Sequence, residues 1–278
     1  MITIPELASE ALGAHLATHM GRRFGSTDAN LIEIVQSVAR LALDCIGNSD
    51  ALYHNVEHTM LVTLAGYDIL TGRRLLKETT ASDYAHVLVA CLYHDIGYVR
   101  GILGGDSVDD YVIDSKGNTT TVPRGSSDAA LLPYHVDRSK LFVMNRVAQS
   151  KLLDATRIAD AIESTRFPPS SKHGCNEEGM LVRAADLIGQ LGDPHYLRKA
   201  NALYCEFEEV GMNKQLGYDS PADLTDQYPK FYWSSVSPFI QDAIRYLNVT
   251  SRGRQWIANL YSNIFSAERD LNLYGPQR

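Results

Sequence analysis

The chain has four cysteines in 278 residues, Cys45, Cys91, Cys175 and Cys205, and no Cys-x-x-Cys pair among them. That spacing excludes a thiolate-rich structural zinc site and a disulfide framework. It fits reduced, mostly buried thiols in a cytoplasmic protein. Basic residues are also short: 26 Lys and Arg stand against 33 Asp and Glu, a net charge of −7. A nucleic-acid-binding face needs the opposite balance, so no nucleic-acid partner is expected. No apolar run approaches the roughly 20 residues of a membrane-spanning helix. The first ten residues are polar and acidic rather than signal-peptide-like, so neither membrane nor export is expected. Fixed-period repeats and low-complexity tracts are absent as well.

What is present is helical periodicity. Pro5 to Arg23 and Asn30 to Ile46 carry apolar residues at core spacing, the second with Leu31, Ile34, Val35 and Val38. Asp193-Pro194 and Ser220-Pro221 each read as a capping residue followed by proline at the first helical position. Further helices are expected over 137–150, 154–166, 176–191, 229–248 and 252–271, with a break at Phe167-Pro168-Pro169. One segment departs from this pattern. Residues 101–129 are rich in Gly, Asp, Ser and Thr, and Tyr111-Val112-Ile113 and Thr119 to Val122 flank a turn at 114–118. These predict a β-hairpin insertion, equally compatible with a binding loop and a disordered excursion. The fold class expected is all-α. It is one domain over 1–278, with N-terminal helices (1–48), a metal-binding core (49–192) and C-terminal helices (193–278) covering the pocket.

Chemistry concentrates in Tyr53-His54-Asn55-Val56-Glu57-His58, in His94-Asp95 and in Asp186. His54 and His58 are four residues apart, which on a helix places both on one face. His94-Asp95 closes an apolar run, and Asp186 interrupts another. A carboxylate inside an apolar helix needs a cation or a hydrogen-bond partner. Two imidazoles and two carboxylates, His58, His94, Asp95 and Asp186, suit a divalent cation acting as a Lewis acid. His15 and His19 share the helical spacing but have no carboxylate motif beside them.

Tyr53-His54-Asn55-x-x-His58, Leu92-x-His94-Asp95-x-Gly97 and Ala185-Asp186-Leu187 together resemble the HD superfamily of metal-dependent phosphohydrolases. Within it they are most similar to the class I cyclic-nucleotide phosphodiesterases, over roughly residues 50 to 265. The resemblance implies an HD-type helical bundle and two divalent metals, zinc, iron or manganese at the first site and magnesium or manganese at the second. His58, His94, Asp95 and Asp186 would hold the first ion, with Asp95 bridging to the second and contributing to catalysis. His54 would be the general acid, steadied by Asn55 and Glu57. Asn55, His135, Arg166 and Phe239 are the substrate-binding candidates, Phe239 as an aromatic clamp on a base, and Ile162-x-x-Thr165 would face the metals. Arg100 and Arg166 are candidates to contact phosphate, equally compatible with surface salt bridges, and His135, Asp137, Glu163 and Arg166 could compensate for family residues that this chain lacks. The implied partner is a small phosphorylated substrate, a nucleotide, with a homodimer left open.

The departures from that family carry information. Tyr98 stands where the pattern has a histidine, Pro133 where it has a glutamate, and Val236 where it has a glutamine that reads the purine edge; His135 is kept. A valine cannot exchange hydrogen bonds with a base. The expected activity is a phosphodiesterase acting on a cyclic or small nucleotide through an activated water. The alternatives are an HD-type phosphomonoesterase or nucleotidase, and a nucleotide-binding regulatory module with little turnover.

Overall fold

The computed structural model describes residues 3–167 and 176–274, with side chains through residue 269. Thr3 opens the first helix with a reciprocal cap: its hydroxyl accepts the Glu6 N–H and the Glu6 carboxylate takes the Thr3 N–H. Helix α1 (Ile4–Phe24) packs along α2 (Ala29–Ile46), as their apolar stripes predict. Two long buried helices follow, α3 (Val56–Leu76) and α4 (Ala81–Tyr93), the latter opened by Thr80 and Asp83 in a second reciprocal cap. Of the next helices, α5 (His135–Val147), α6 (Ala155–Glu163) and α7 (Glu177–Leu191), α7 packs on α3 and α4, α6 on α4, and α5 on α6 and the turn at 96–98. The C-terminal part is α8 (Tyr196–Glu209), α9 (Met212–Leu216), α10 (Pro221–Asp226), α11 (Tyr228–Phe231), α12 (Ser237–Leu247) and α13 (Ser251–Tyr274).

The chain is thus predominantly helical, with one two-stranded antiparallel sheet among the described residues. Strands β1 (Asp110–Val112) and β2 (Thr119–Thr121) pair Asp110 with Thr121 and Val112 with Thr119, close to the hairpin the sequence predicts. Asp114 organises the turn by accepting the Lys116 and Asn118 N–H groups. The insertion is fastened at both ends. Arg138 of α5, fully buried, donates to Gly97, Val99 and Val112 carbonyls and forms a bidentate pair with Asp106 at 2.9 and 3.0 Å. At the far end Ser127 donates to Glu209 of α8, and Arg100 bridges Asp50 and Asp128.

One apolar cluster runs from Leu12 to Ala267 and touches every long helix. The approach that matters most is α7 onto α3. A Cβ on Gly189 would lie 2.6 Å from the Val62 Cα, so only glycine lets the backbones close to this distance.

Three expectations are corrected. The stretch 229–248 is not a uniform helix: it passes through a π-turn over Tyr232–Val236 before α12. Pro238 accounts for this, because it has no N–H and its ring crowds the Ser234 carbonyl one turn earlier. Asp193-Pro194 does not start α8 directly; Asp193 accepts the His195 N–H, and the helix begins at Tyr196. Of the thiols, Cys91 is buried, Cys45 half-buried and Cys205 exposed, all three free; Cys175 lies outside the described residues, as does the Pro168-Pro169 break. Among the described residues no helix is long and apolar enough to cross a membrane.

Candidate metal centre

His54 does not share a helix with His58, contrary to the spacing argument. Asn55 is the N-cap of α3: its Oδ1 accepts the N–H groups of Glu57 and His58, and its Nδ2 donates to the Leu52 carbonyl. The chain enters the helix at Val56, leaving His54 in the preceding loop. Asn55 therefore aims His58 by fixing the first helical turn, and both ends of its side chain are engaged in doing so.

Four side chains from three places converge. His58 projects from α3, His94 and Asp95 from the end of α4, and Asp186 from α7. His58 Nε2 and His94 Nε2 are 3.3 Å apart, and Asp95 Oδ2 lies 3.2 and 3.1 Å from them. Asp186 Oδ1 is 3.6 Å from both imidazole nitrogens. Two overlapping sets here could hold a metal ion, His58 with His94 and Asp186, and His58 with Asp95 and the neighbouring His54. The donor chemistry fits one. His94 Nδ1 is bonded at 2.7 Å to the Cys91 carbonyl, which can only accept, so Nδ1 carries a hydrogen and Nε2 is the nitrogen turned to the quartet, able to coordinate once its own proton is displaced. Asp95 Oδ2 is buried with no hydrogen-bond partner, the condition a cation relieves. Burial alone would push the His94 pKa down; the Asp95 and Asp186 carboxylates override it and hold it well above its ordinary value. For Asp95, burial pushes upward, and the His94 charge and the His58 contact pull it well below the carboxylate range. A cluster that recruits a proton between its ligands is one from which a divalent cation displaces that proton.

The corner bearing His94 and Asp95 is fixed from α5. Ser139 Oγ donates to the His94 carbonyl and accepts the Gly97 N–H. The helix and corner meet closely enough that a Cβ on Gly97 would sit 2.0 Å from the His135 carbonyl oxygen.

His54 has a partner that sequence reasoning missed. Glu206 of α8, 1% exposed, accepts the Tyr53 and His54 backbone N–H groups at 2.6 and 3.2 Å and the His54 Nδ1–H at 2.5 Å. Burial opposes protonation of His54, but the charge and hydrogen bond of Glu206, with Asp95 and Asp186 adding, raise its pKa to about 9. In the metal-free protein this favours the imidazolium form of His54 at neutral pH. Its ring stacks on Tyr98 (4.8 Å, 12°), whose other face stacks on His135 (4.6 Å, 17°). His135 Nδ1 donates to the Leu132 carbonyl and its Nε2 lies 3.7 Å from Asp95 Oδ1. Burial lowers the His135 pKa despite the pull of Asp95. The exposed edge of the site is formed by Asp186, His135 and His54, whose side chains retain 20, 19 and 13% exposure against 2% for His94.

The other candidates are placed as follows. Arg166 is clamped by Glu163 (2.6 and 2.9 Å) and Asp137 (2.8 Å), and Lys140 joins Glu163 at 2.7 Å. Arg100 is equally committed to Asp50 and Asp128. Glu57 pairs with Lys199 and not with His54. Thr165 Oγ1 caps the end of α6 by donating to Ile162 O. Phe239 is 39% exposed on α12, with the Arg183 guanidinium over one ring face at 5.1 Å. Val236 is fully buried. His15 and His19 meet each other at a tilt and meet Tyr67 edge-on, away from the quartet.

No curated protein matches this sequence. Residues 3–270 match the family described as Npun_R2479-like, and the chain belongs to that family.

Proposed function

We propose that this chain is an HD-type, metal-dependent phosphoric ester hydrolase acting on a small phosphorylated substrate, a nucleotide by resemblance to the cyclic-nucleotide phosphodiesterases. The observation that carries the reading is the convergence of His58, His94, Asp95 and Asp186 beside His54, whose far nitrogen is tied to the buried Glu206 carboxylate. A divalent cation bound by the quartet supplies Lewis acidity and a lowered pKa for attacking water. His135, with its Nε2 lone pair turned toward Asp95, is the side chain placed to assist a second ion. His54 holds a proton on Nε2 while Glu206 fixes Nδ1, so its free N–H is the group able to protonate a departing ester oxygen. Tyr98 keeps that ring from rotating. Free thiols and the net charge fit a cytoplasmic setting.

A phosphomonoesterase is the second reading. It is favoured by Val236, whose burial removes the position at which the related phosphodiesterases read a purine. Purified protein loaded with manganese or iron should hydrolyse cyclic nucleotides or nucleoside monophosphates. His54→Ala should retain the metal, measured by mass spectrometry, and lose turnover by roughly 10²–10⁴-fold. Activity on monophosphates alone selects the second reading. Stoichiometric metal without turnover on either class replaces both with a regulatory nucleotide-binding module.

A further inference from the structure

Several cations on the elements around the quartet are neutralised among the described residues. Lys140 and Arg166 are held by Glu163 and Asp137, Arg157 by Asp83 and Glu178, Lys199 by Asp193 and Glu57, and Arg100 by Asp50 and Asp128. Arg183 is different. It lies on α7 one turn before Asp186, is half-buried, and forms no ion pair among the described residues. Residues three apart on a helix have Cβ atoms roughly 5–6 Å apart, so Arg183 and the ligand carboxylate start from neighbouring positions on one face of α7. Two contacts fix its plane. Nε donates to the Ser164 carbonyl at the end of α6, and the guanidinium lies over Phe239. The terminal Nη groups, with four N–H donors, make no hydrogen bond to described residues. A guanidinium held over a ring, anchored through Nε and with its fork unengaged by the described residues is arranged for bidentate capture of a phosphate or carboxylate.

We infer that Arg183, on its Phe239 shelf, is a specificity-determining residue that binds a second anionic group of the substrate, distinct from the phosphate held at the quartet. The substrate class is accordingly a phosphate ester carrying another phosphate or carboxylate. This rests on the phosphohydrolase reading for the word substrate, while the anion subsite itself stands on the geometry of Arg183. It also gives Phe239 a role other than a base clamp, since one ring face is already covered.

The test is calorimetric binding of adenosine 3′,5′-bisphosphate and of adenosine 5′-monophosphate to manganese-loaded protein. Wild type should prefer the bisphosphate by roughly 10- to 100-fold, the range of a charge-assisted bidentate contact. Arg183→Gln should abolish that preference and leave monophosphate affinity unchanged, and Arg183→Lys, which keeps the charge without the fork, should fall between them. Circular dichroism and metal content verify that the variants are folded and loaded. A wild type without preference, or an Arg183→Gln protein that keeps it, overturns the inference. Hydrolysis of p-nitrophenyl phosphate by the same samples reports on the parent reading separately: no turnover with an intact Arg183-dependent preference removes the hydrolase and keeps the anion subsite.

Discussion

Replacing Glu206 with glutamine preserves shape and removes one buried charge. The amide oxygen can still accept the Tyr53 and His54 N–H groups, but the amide nitrogen then faces His54 Nδ1, which must give up its hydrogen. In wild type the His54 pKa stands at about 9 against 6.5. At about 1.4 kcal/mol per pH unit this corresponds to roughly 3 kcal/mol of stability from the ionised ring. Asp95 and Asp186 share the effect, so Glu206 accounts for about 2 kcal/mol, or roughly 4–8 °C in Tm for a chain of this size. The sign follows from linkage. A histidine whose pKa is raised on folding stabilises fully below its unfolded value of 6.5, and that stability is lost as pH rises through about 9. Thermal melts of chelator-treated wild type and Glu206→Gln from pH 6 to 10 should therefore show a gap that is widest at pH 6, narrows as pH rises past 6.5 and is largely closed by about 9. A gap that stays constant across the range, or no gap at pH 6, refutes the pairing as the cause of the imidazolium.

Gly97→Ala should destabilise the protein by more than about 3 kcal/mol and lower metal occupancy together, because the new methyl meets the His135 carbonyl and the Ser139 N–H, 2.0 and 2.7 Å away; melting and metal analysis read both. Tyr98→Phe should leave kcat within about threefold of wild type, whereas Tyr98→Leu, which removes both ring stacks, should lower it about tenfold or more without releasing metal. Glu163, pulled down to about 2 by Arg166 and Lys140 against its burial, contributes stability that is present above its unfolded value of 4.5 and lost as pH falls toward 2. With 29% of its side chain exposed, Glu163→Gln should cost only about 1 kcal/mol at pH 7. That difference should shrink in urea titrations below pH 4.5.

The quartet was legible because each member breaks a pattern. Asp186 interrupts an apolar helix, and His94-Asp95 ends one, so burial and polarity conflict visibly in the sequence. Glu206 gave no such signal. It sits at the margin of the α8 apolar stripe among other acidic residues, Glu208 and Glu209, and its partner is 152 positions away. Asn55 was legible as a functional neighbour of His54 but not as a cap, since the same residue type serves either purpose. The spacing of His54 and His58 misled for a related reason: a period of four reports a shared helix face only if the helix has already begun. Arg166 and Arg100 illustrate a general limit. A sequence displays cations without displaying which carboxylates reach them, and here both are consumed by neighbours. The π-turn before α12 could have been anticipated from Pro238, which no regular helix interior accommodates without rearrangement.

Arg138 has a consequence for anyone who would trim this molecule. Its guanidinium is sealed in the interior, and three of its acceptors belong to the hairpin excursion: Asp106 through both oxygens and Val112 through its carbonyl. Shortening that excursion to a tight link would strand a permanent cation in apolar surroundings, directly beneath the corner that presents Asp95. The hairpin and the arginine are a single module that can only be removed jointly, for instance with Arg138→Met. The ornament on the outside of the bundle is thus the counter-charge for its inside.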